Sequence, residues 1–175
     1  MGYVHDTHVT SWISPNMCSY VTGTWTDAVG AVTGTVVKEK TAADSTGVIY
    51  IPVSAAVWQN SVAGKGALFQ SIDIWWATTT AALDAAGAIA NIDRFVLPAN
   101  GAAFPALVAV AFTYDTGNDT AAETDDLDEH KMTLTVTTPF YLDDDDLVQV
   151  RLTLDSAATS VIRFHGARAN FTVRL

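Results

Sequence analysis

The chain has 175 residues, a net charge of −10 and a single cysteine, Cys18. This length suits one domain that buries a core without a disulfide framework, and Cys18 can form no bridge within the chain. The acidic balance argues against a nucleic-acid partner, which needs a basic surface, and no run of about 18 apolar residues offers a membrane span.

Residues 1–17 are aromatic and polar without a steady period, with Tyr3, His5, His8, Trp12 and Ile13 before Ser14-Pro15-Asn16. They read as an extended arm, laid on a neighbouring chain or folded over its own sheet. No secretory leader is legible in Met1 to Asp6. Residues 18–175 read as one β-sandwich domain. Two strands are expected near 18–26 and 32–39, with a turn around Asp27-Ala28-Val29-Gly30. Val48-Ile49-Tyr50-Ile51-Pro52-Val53 is a nearly continuous apolar strand, and Pro52 implies that it lies at a sheet edge or ends there. The next strand carries Leu68, Ile72, Ile74 and Trp76 on one face, and Phe69, Ser71, Asp73 and Trp75 on the other.

Residues 78–90 read as a loop or one helical turn, followed by a strand at 88–97. Leu107 to Tyr114 alternates again, with Val108, Val110, Phe112 and Tyr114 on one face. The opposite face, Leu107, Ala109, Ala111 and Thr113, is small and suits close approach by another layer or subunit. Three further alternating segments close the chain: Met132 to Val136, Val148 to Leu154, and Val161 onward. Period-two alternation with β-branched residues favours strands, and Leu134, Val150, Leu152, Ile74 and Phe112 are expected inside the core. About nine strands with regular turn signals predict an all-β, antiparallel, jelly-roll-like sandwich.

The charge is localised. Residues 115–146 hold eleven acids and one base, Lys131, while the remainder holds eight of each. Asp143, Asp144, Asp145 and Asp146 could supply oxygen ligands to Ca²⁺. Adjacent carboxylates on an extended chain diverge, and the EF-hand spacing is absent, so a solvated turn without metal is expected. His5, His8, His130 and His165 lack a His-x-His metal pattern, and no nucleophile, phosphate-loop or zinc-protease motif occurs. The chain therefore reads as a non-enzyme without cofactors. Trp12, Trp25, Trp58, Trp75 and Trp76 read as core or subunit contacts before a sugar-stacking platform.

Several stretches carry a resemblance: Gly23-Thr24-Trp25-Thr26, Gly66 to Ile74, His130 to Thr135, and Asp145 to Ala157. In these the sequence resembles virion structural proteins of tailed phages and environmental metagenomes. The resemblance implies a jelly-roll head-decoration or fibre protein on the virion surface, assembled in the host cytoplasm. Its expected partners are copies of itself, with a trimer favoured, and a major capsid or other virion protein. The candidate interface residues are Tyr3, Trp12, Ile13, Phe69, Trp75, Leu107, Ala109 and Ala111. The alternatives are a carbohydrate- or Ca²⁺-binding adhesion module, and a subunit of a non-viral extracellular filament.

Overall fold

A computed structural model of the chain describes residues 6–30, 35–41, 46–54, 67–79, 83–96, 98, 107–115, 129–142, 146–156 and 160–174. Twelve strands run through them: β1 (Asp6–Ile13), β2 (Ser19–Thr22), β3 (Trp25–Val29), β4 (Val36–Lys40), β5 (Thr46–Val53), β6 (Ala67–Thr78), β7 (Leu83–Val96), β8 (Val108–Val110), β9 (Phe112–Tyr114), β10 (Glu129–Leu142), β11 (Asp146–Ser156) and β12 (Ile162–Arg174). A single 3-10 turn, Pro15–Met17, follows β1. The described residues hold no α-helix, and none long and apolar enough to cross a membrane.

The strands form two antiparallel sheets. The larger has the order β3-β4-β12-β6-β10-β9, with β1 added alongside β12; the smaller has the order β2-β5-β11-β7-β8. Alternation fixes the buried faces. Val148, Val150, Leu152 and Leu154 of β11 face Met132, Leu134 and Val136 of β10 and Ile72, Ile74 and Trp76 of β6 in one core, joined by Phe164 and Phe171 of β12. The architecture is the expected all-β, jelly-roll-like sandwich.

The three C-terminal strands are not neighbours in one sheet. β10 and β12 flank β6 in the larger sheet, and β11 lies between β5 and β7 in the smaller. Alternation names the face a strand buries, but not the strand it pairs with. Residues 83–96 are one long strand, so the helical-turn option fails. A bulge there sets Leu154 opposite Ala88 and Ser156 opposite Leu83. The first hairpin turns later than expected, at Gly30, whose N–H donates to Thr35 O at 2.9 Å. Pro52 lies beyond the reach of β2, which pairs only with residues 48–50. Among the described residues no strand pairs with that edge of β5 at Pro52, which suits its missing N–H.

Residues 6–13 are extended, but they lie on their own sheet. β1 pairs with β12 over eight residues, from Asp6 opposite Arg174 to Ile13 opposite Ala167. Ile13 is 2% exposed and belongs to the core, so it offers no surface to another chain. Phe69 is likewise a core residue, with no exposed surface, packed at 5.6 Å from Phe171 and 5.9 Å from Phe140. The cause is a bulge at Gln70: Ser71 opposes Asn170 while Phe69 opposes Phe171. The extra residue exchanges the faces, so Phe69 points inward where strict alternation places Leu68.

Candidate functional site

The bulge leaves a row of polar side chains on the outer face of the larger sheet. Trp12 lies beside Arg168, Arg168 beside Asp73, and Asp73 beside Thr133. Asp73 is nearly fully buried and collects the row. Arg168 donates to its Oδ2 from Nη2 at 2.7 Å and Nε at 3.1 Å, and Asn170 Nδ2 at 3.3 Å. Thr133 Oγ1 donates to Oδ1 at 2.7 Å, and Lys131 Nζ lies 3.1 Å from the same oxygen. Burial alone would raise the Asp73 pKa. The bonds from Arg168, Thr133, Asn170 and Lys131 outweigh burial and hold it at about 2. Asp73 is thus a fixed anion that pins two cations and an amide to the surface.

Those cations flank an aromatic pair. The Trp12 and Trp75 rings lie 5.4 Å apart at 40°, with the Arg168 guanidinium 5.5 Å and Lys131 Nζ 5.9 Å from Trp75. Trp75 is half-buried, and Trp12 is 55% exposed. An indole left that far in water forfeits burial energy that the core tryptophan gains.

Trp12 lies over a glycine for a geometric reason. β12 bulges between Phe164 and Gly166, and Gly166 adopts φ +123°. A Cβ there would meet Ile13 O at 2.7 Å and Trp12 Cζ2 at 3.1 Å. Only glycine combines that backbone with that approach. Gly166→Ala is expected to lower stability by about 1–3 kcal/mol and to speed hydrogen exchange in β1 before other strands. Unchanged protection of β1 would show that the contact does not hold it.

Next to the pair opens a cleft of about 230 Å³, lined by Trp12, Trp75, Trp76, Glu129, His130 and His165. Trp76 belongs to the core, with His130 stacked on it at 5.4 Å and 25°. Two of the lining residues carry a buried nitrogen, Trp76 Nε1 and His165 Nε2, with no hydrogen-bond partner among the described residues. Burial lowers the His165 pKa; Glu129 opposes that shift and Arg163 adds to it. A neutral imidazole and an indole N–H together suit a group that can both donate and accept. An orphaned buried donor is costly unless something fills the cleft.

The tryptophans therefore divide. Trp76 is core, as expected. Trp12 and Trp75 form a surface pair, and Trp25 is half-buried, with Nε1 donating to Thr22 O at 2.8 Å. Trp58 and Tyr3 lie outside the described residues. Leu107, Ala109 and Ala111 are exposed, so they keep their place as candidate contact residues. The chain leaves the smaller sheet as β8 and enters the larger as β9, turning at Ala111. Asp143, Asp144 and Asp145 lie outside the described residues. Asp146 is no solvated carboxylate: its side chain is fully buried, accepting from Arg94 Nε at 2.8 Å and Nη2 at 2.7 Å. Among the described residues no cluster of three metal-ligating side chains forms. Cys18 is no nucleophile, since burial pushes its thiol up to about 12.

Sequence reasoning missed the Asp73 network and the cleft. A charged residue midway along an apolar strand, flanked by Ile72 and Ile74, was the available signal for the first.

No protein-family model matches the chain, and no curated protein matches it. Distant likenesses occur among solved structures. TmCBM61, solved in complex with β-1,4-galactotriose, is 10% identical at a TM-score of 0.37, covering 94% of this chain and 87% of that one. The carbohydrate esterase vb_24B_21 of the Shiga toxin-encoding bacteriophage phi24B is 15% identical at 0.37, covering 90% and 89%. CBM28, a carbohydrate-binding module specific for non-crystalline cellulose, is 13% identical at 0.31, covering 94% and 85%. At this distance they say nothing about individual residues of the outer face.

Proposed function

We propose that this chain is a non-catalytic carbohydrate-binding β-sandwich whose site is the outer face around Trp12. One observation carries the reading: an exposed indole stands beside a cleft lined by Trp76 and His165, whose buried Nε1 and Nε2 lack partners among the described residues. A sugar ring meets both demands. Its apolar C–H face covers an aromatic ring, and its hydroxyls donate and accept at the orphaned nitrogens. Trp75 props Trp12 from behind, and the Asp73 network fixes Arg168 and Lys131 around it. Their remaining N–H groups point to further hydroxyl contacts.

A glycan array with the intact chain tests this. Binding is expected, and Trp12→Ala should weaken the strongest interaction by about thirtyfold or more, as for a central tryptophan anchor. Unaltered circular dichroism would confirm that the variant folds. Absence of binding to every glycan, or equal binding by Trp12→Ala, would remove the reading.

A second reading, self-assembly on a phage particle as a decoration protein, draws on a different corner. Val96, Leu107, Val108 and Leu147 are exposed around the pairing of β7 with β8 and β11. Exposed apolar side chains gathered at one corner of the sheet favour an interface, and closed symmetry would hide them between copies. Light scattering that gives a trimer, broken by Leu147→Asp, would support it; a monomer at high concentration would not.

A further inference from the structure

A second hollow, of about 410 Å³, opens on the same outer face, lined among others by His8, Thr10, Gln70, Ser71 and Asn170. It shares no lining residue with the first cleft and lies on the other side of Trp12 along the strands. The Trp12–Arg168–Asp73 row is followed on this face by Thr10–Asn170–Ser71. Asn170 ties the rows together, with Nδ2 donating to Ser71 Oγ at 3.0 Å and to Asp73 Oδ2 at 3.3 Å. From Trp12 to His8 is four residues of strand, about 13 Å. One sugar ring cannot reach both ends.

The chemistry of the two hollows differs. The first offers an aromatic pair ringed by charge. The second is lined by hydroxyl, amide and imidazole groups with Val9 and Phe171, and among the described residues no carboxylate, lysine or arginine lines it. Gln70 Nε2 donates to Thr172 Oγ1 at 3.3 Å, which holds the amide along the wall. Such a lining matches uncharged, hydroxyl-bearing units. The Gln70 bulge gives this hollow its shape, because it breaks the regular pleat between Phe69 and Ser71.

We infer that the face binds an internal stretch of a linear glycan, laid parallel to β1 and β12, with one unit on Trp12 and later, uncharged units in the second hollow. This rests on the carbohydrate reading above. It adds a second subsite and excludes recognition of a lone terminal sugar.

The experiment is calorimetry with a size series, disaccharide to hexasaccharide, of the strongest linear glycan from the array. Wild-type affinity should rise about tenfold from the disaccharide to the longer members and then level off. The double variant His8→Ala, Gln70→Ala should cost the hexasaccharide about tenfold, the equivalent of one or two net hydrogen bonds. The same variant should bind the disaccharide unchanged, which also reports that it is folded. Trp12→Ala should weaken short and long members alike. Affinity independent of length, or a double variant that binds the hexasaccharide as well as wild type, would overturn the second subsite and leave the Trp12 site standing. No binding by any member would instead overturn the carbohydrate reading itself.

Discussion

Leu152→Ala is expected to lower the unfolding free energy by about 2–5 kcal/mol. Leu152 has no exposed surface and sits in the middle strand of the smaller sheet, opposite Ile49 of β5 and Ala90 of β7. Truncation removes the transfer energy of the lost methyl groups. It also leaves a cavity, because ladders on both sides hold the backbone in place. Ala90 is already small, so it cannot lean in to fill the space. Urea denaturation should give a lower midpoint with an unchanged slope, since the surface exposed on unfolding is nearly the same. A loss under about 0.5 kcal/mol would mean that the site collapses at no cost, which a rigid, paired middle strand does not permit.

The second large effect belongs to Asp73. Its carboxyl is held at about 2 in the folded chain against an ordinary 3.8. A folded pKa below the unfolded one contributes stability that is present above the unfolded value. That stability is lost as pH falls through the folded value. The window is therefore from about pH 4 down to about pH 2, and the difference in pKa corresponds to about 2 kcal/mol. Asp73→Asn should cost about 2–3 kcal/mol at neutral pH, because Arg168 and Lys131 lose the charge between them. It should also flatten stability against pH in that acidic window. The two cations are partly solvated, which keeps the cost below that of a fully buried pair. Equal acid sensitivity in wild type and variant would show that other carboxylates govern the limb. On the carbohydrate reading a separate readout follows: without its anion, Arg168 is no longer fixed beside Trp75, and glycan affinity should weaken even where the fold survives.

The sandwich itself was legible because alternation is a local property. Leu134, Val150, Leu152 and Ile74 were expected inside from spacing alone, and all four are fully buried. Phe112 was also expected inside, but it is only partly buried at the short β9 edge, in edge contact with Tyr114. Partners were less legible. The segments 132–136 and 148–154 follow one another in sequence, yet they lie in opposite sheets. Nothing in a period-two pattern records which way a connection turns. Bulges were the other obstacle. One extra residue at Gln70 exchanges the faces of β6, and a second at His165 sets Gly166 under Trp12. Both bulges border the candidate site, and the residues that periodicity put on the wrong faces of β6, Leu68 and Phe69, lie just beyond the first. Trp75 was assigned to the correct face and Phe69 to the wrong one, because they lie on opposite sides of the first bulge.

β12 is covered along both of its edges. β6 runs along one edge of it, while the other edge is shared: residues 162–164 pair with β4, and 167–174 pair with β1. β1 is therefore a removable cover over half of that edge, held by one ladder and seated on Gly166. If it peels away, a long row of unpaired N–H and C=O groups on β12 is bared, a template for strand exchange between molecules. The same movement carries away Trp12, Thr10 and His8 from the outer face. On the carbohydrate reading, solubility and recognition would both hang on this one eight-residue strand, and a glycan clamping β1 to β6 and β12 would also guard the chain against strand exchange.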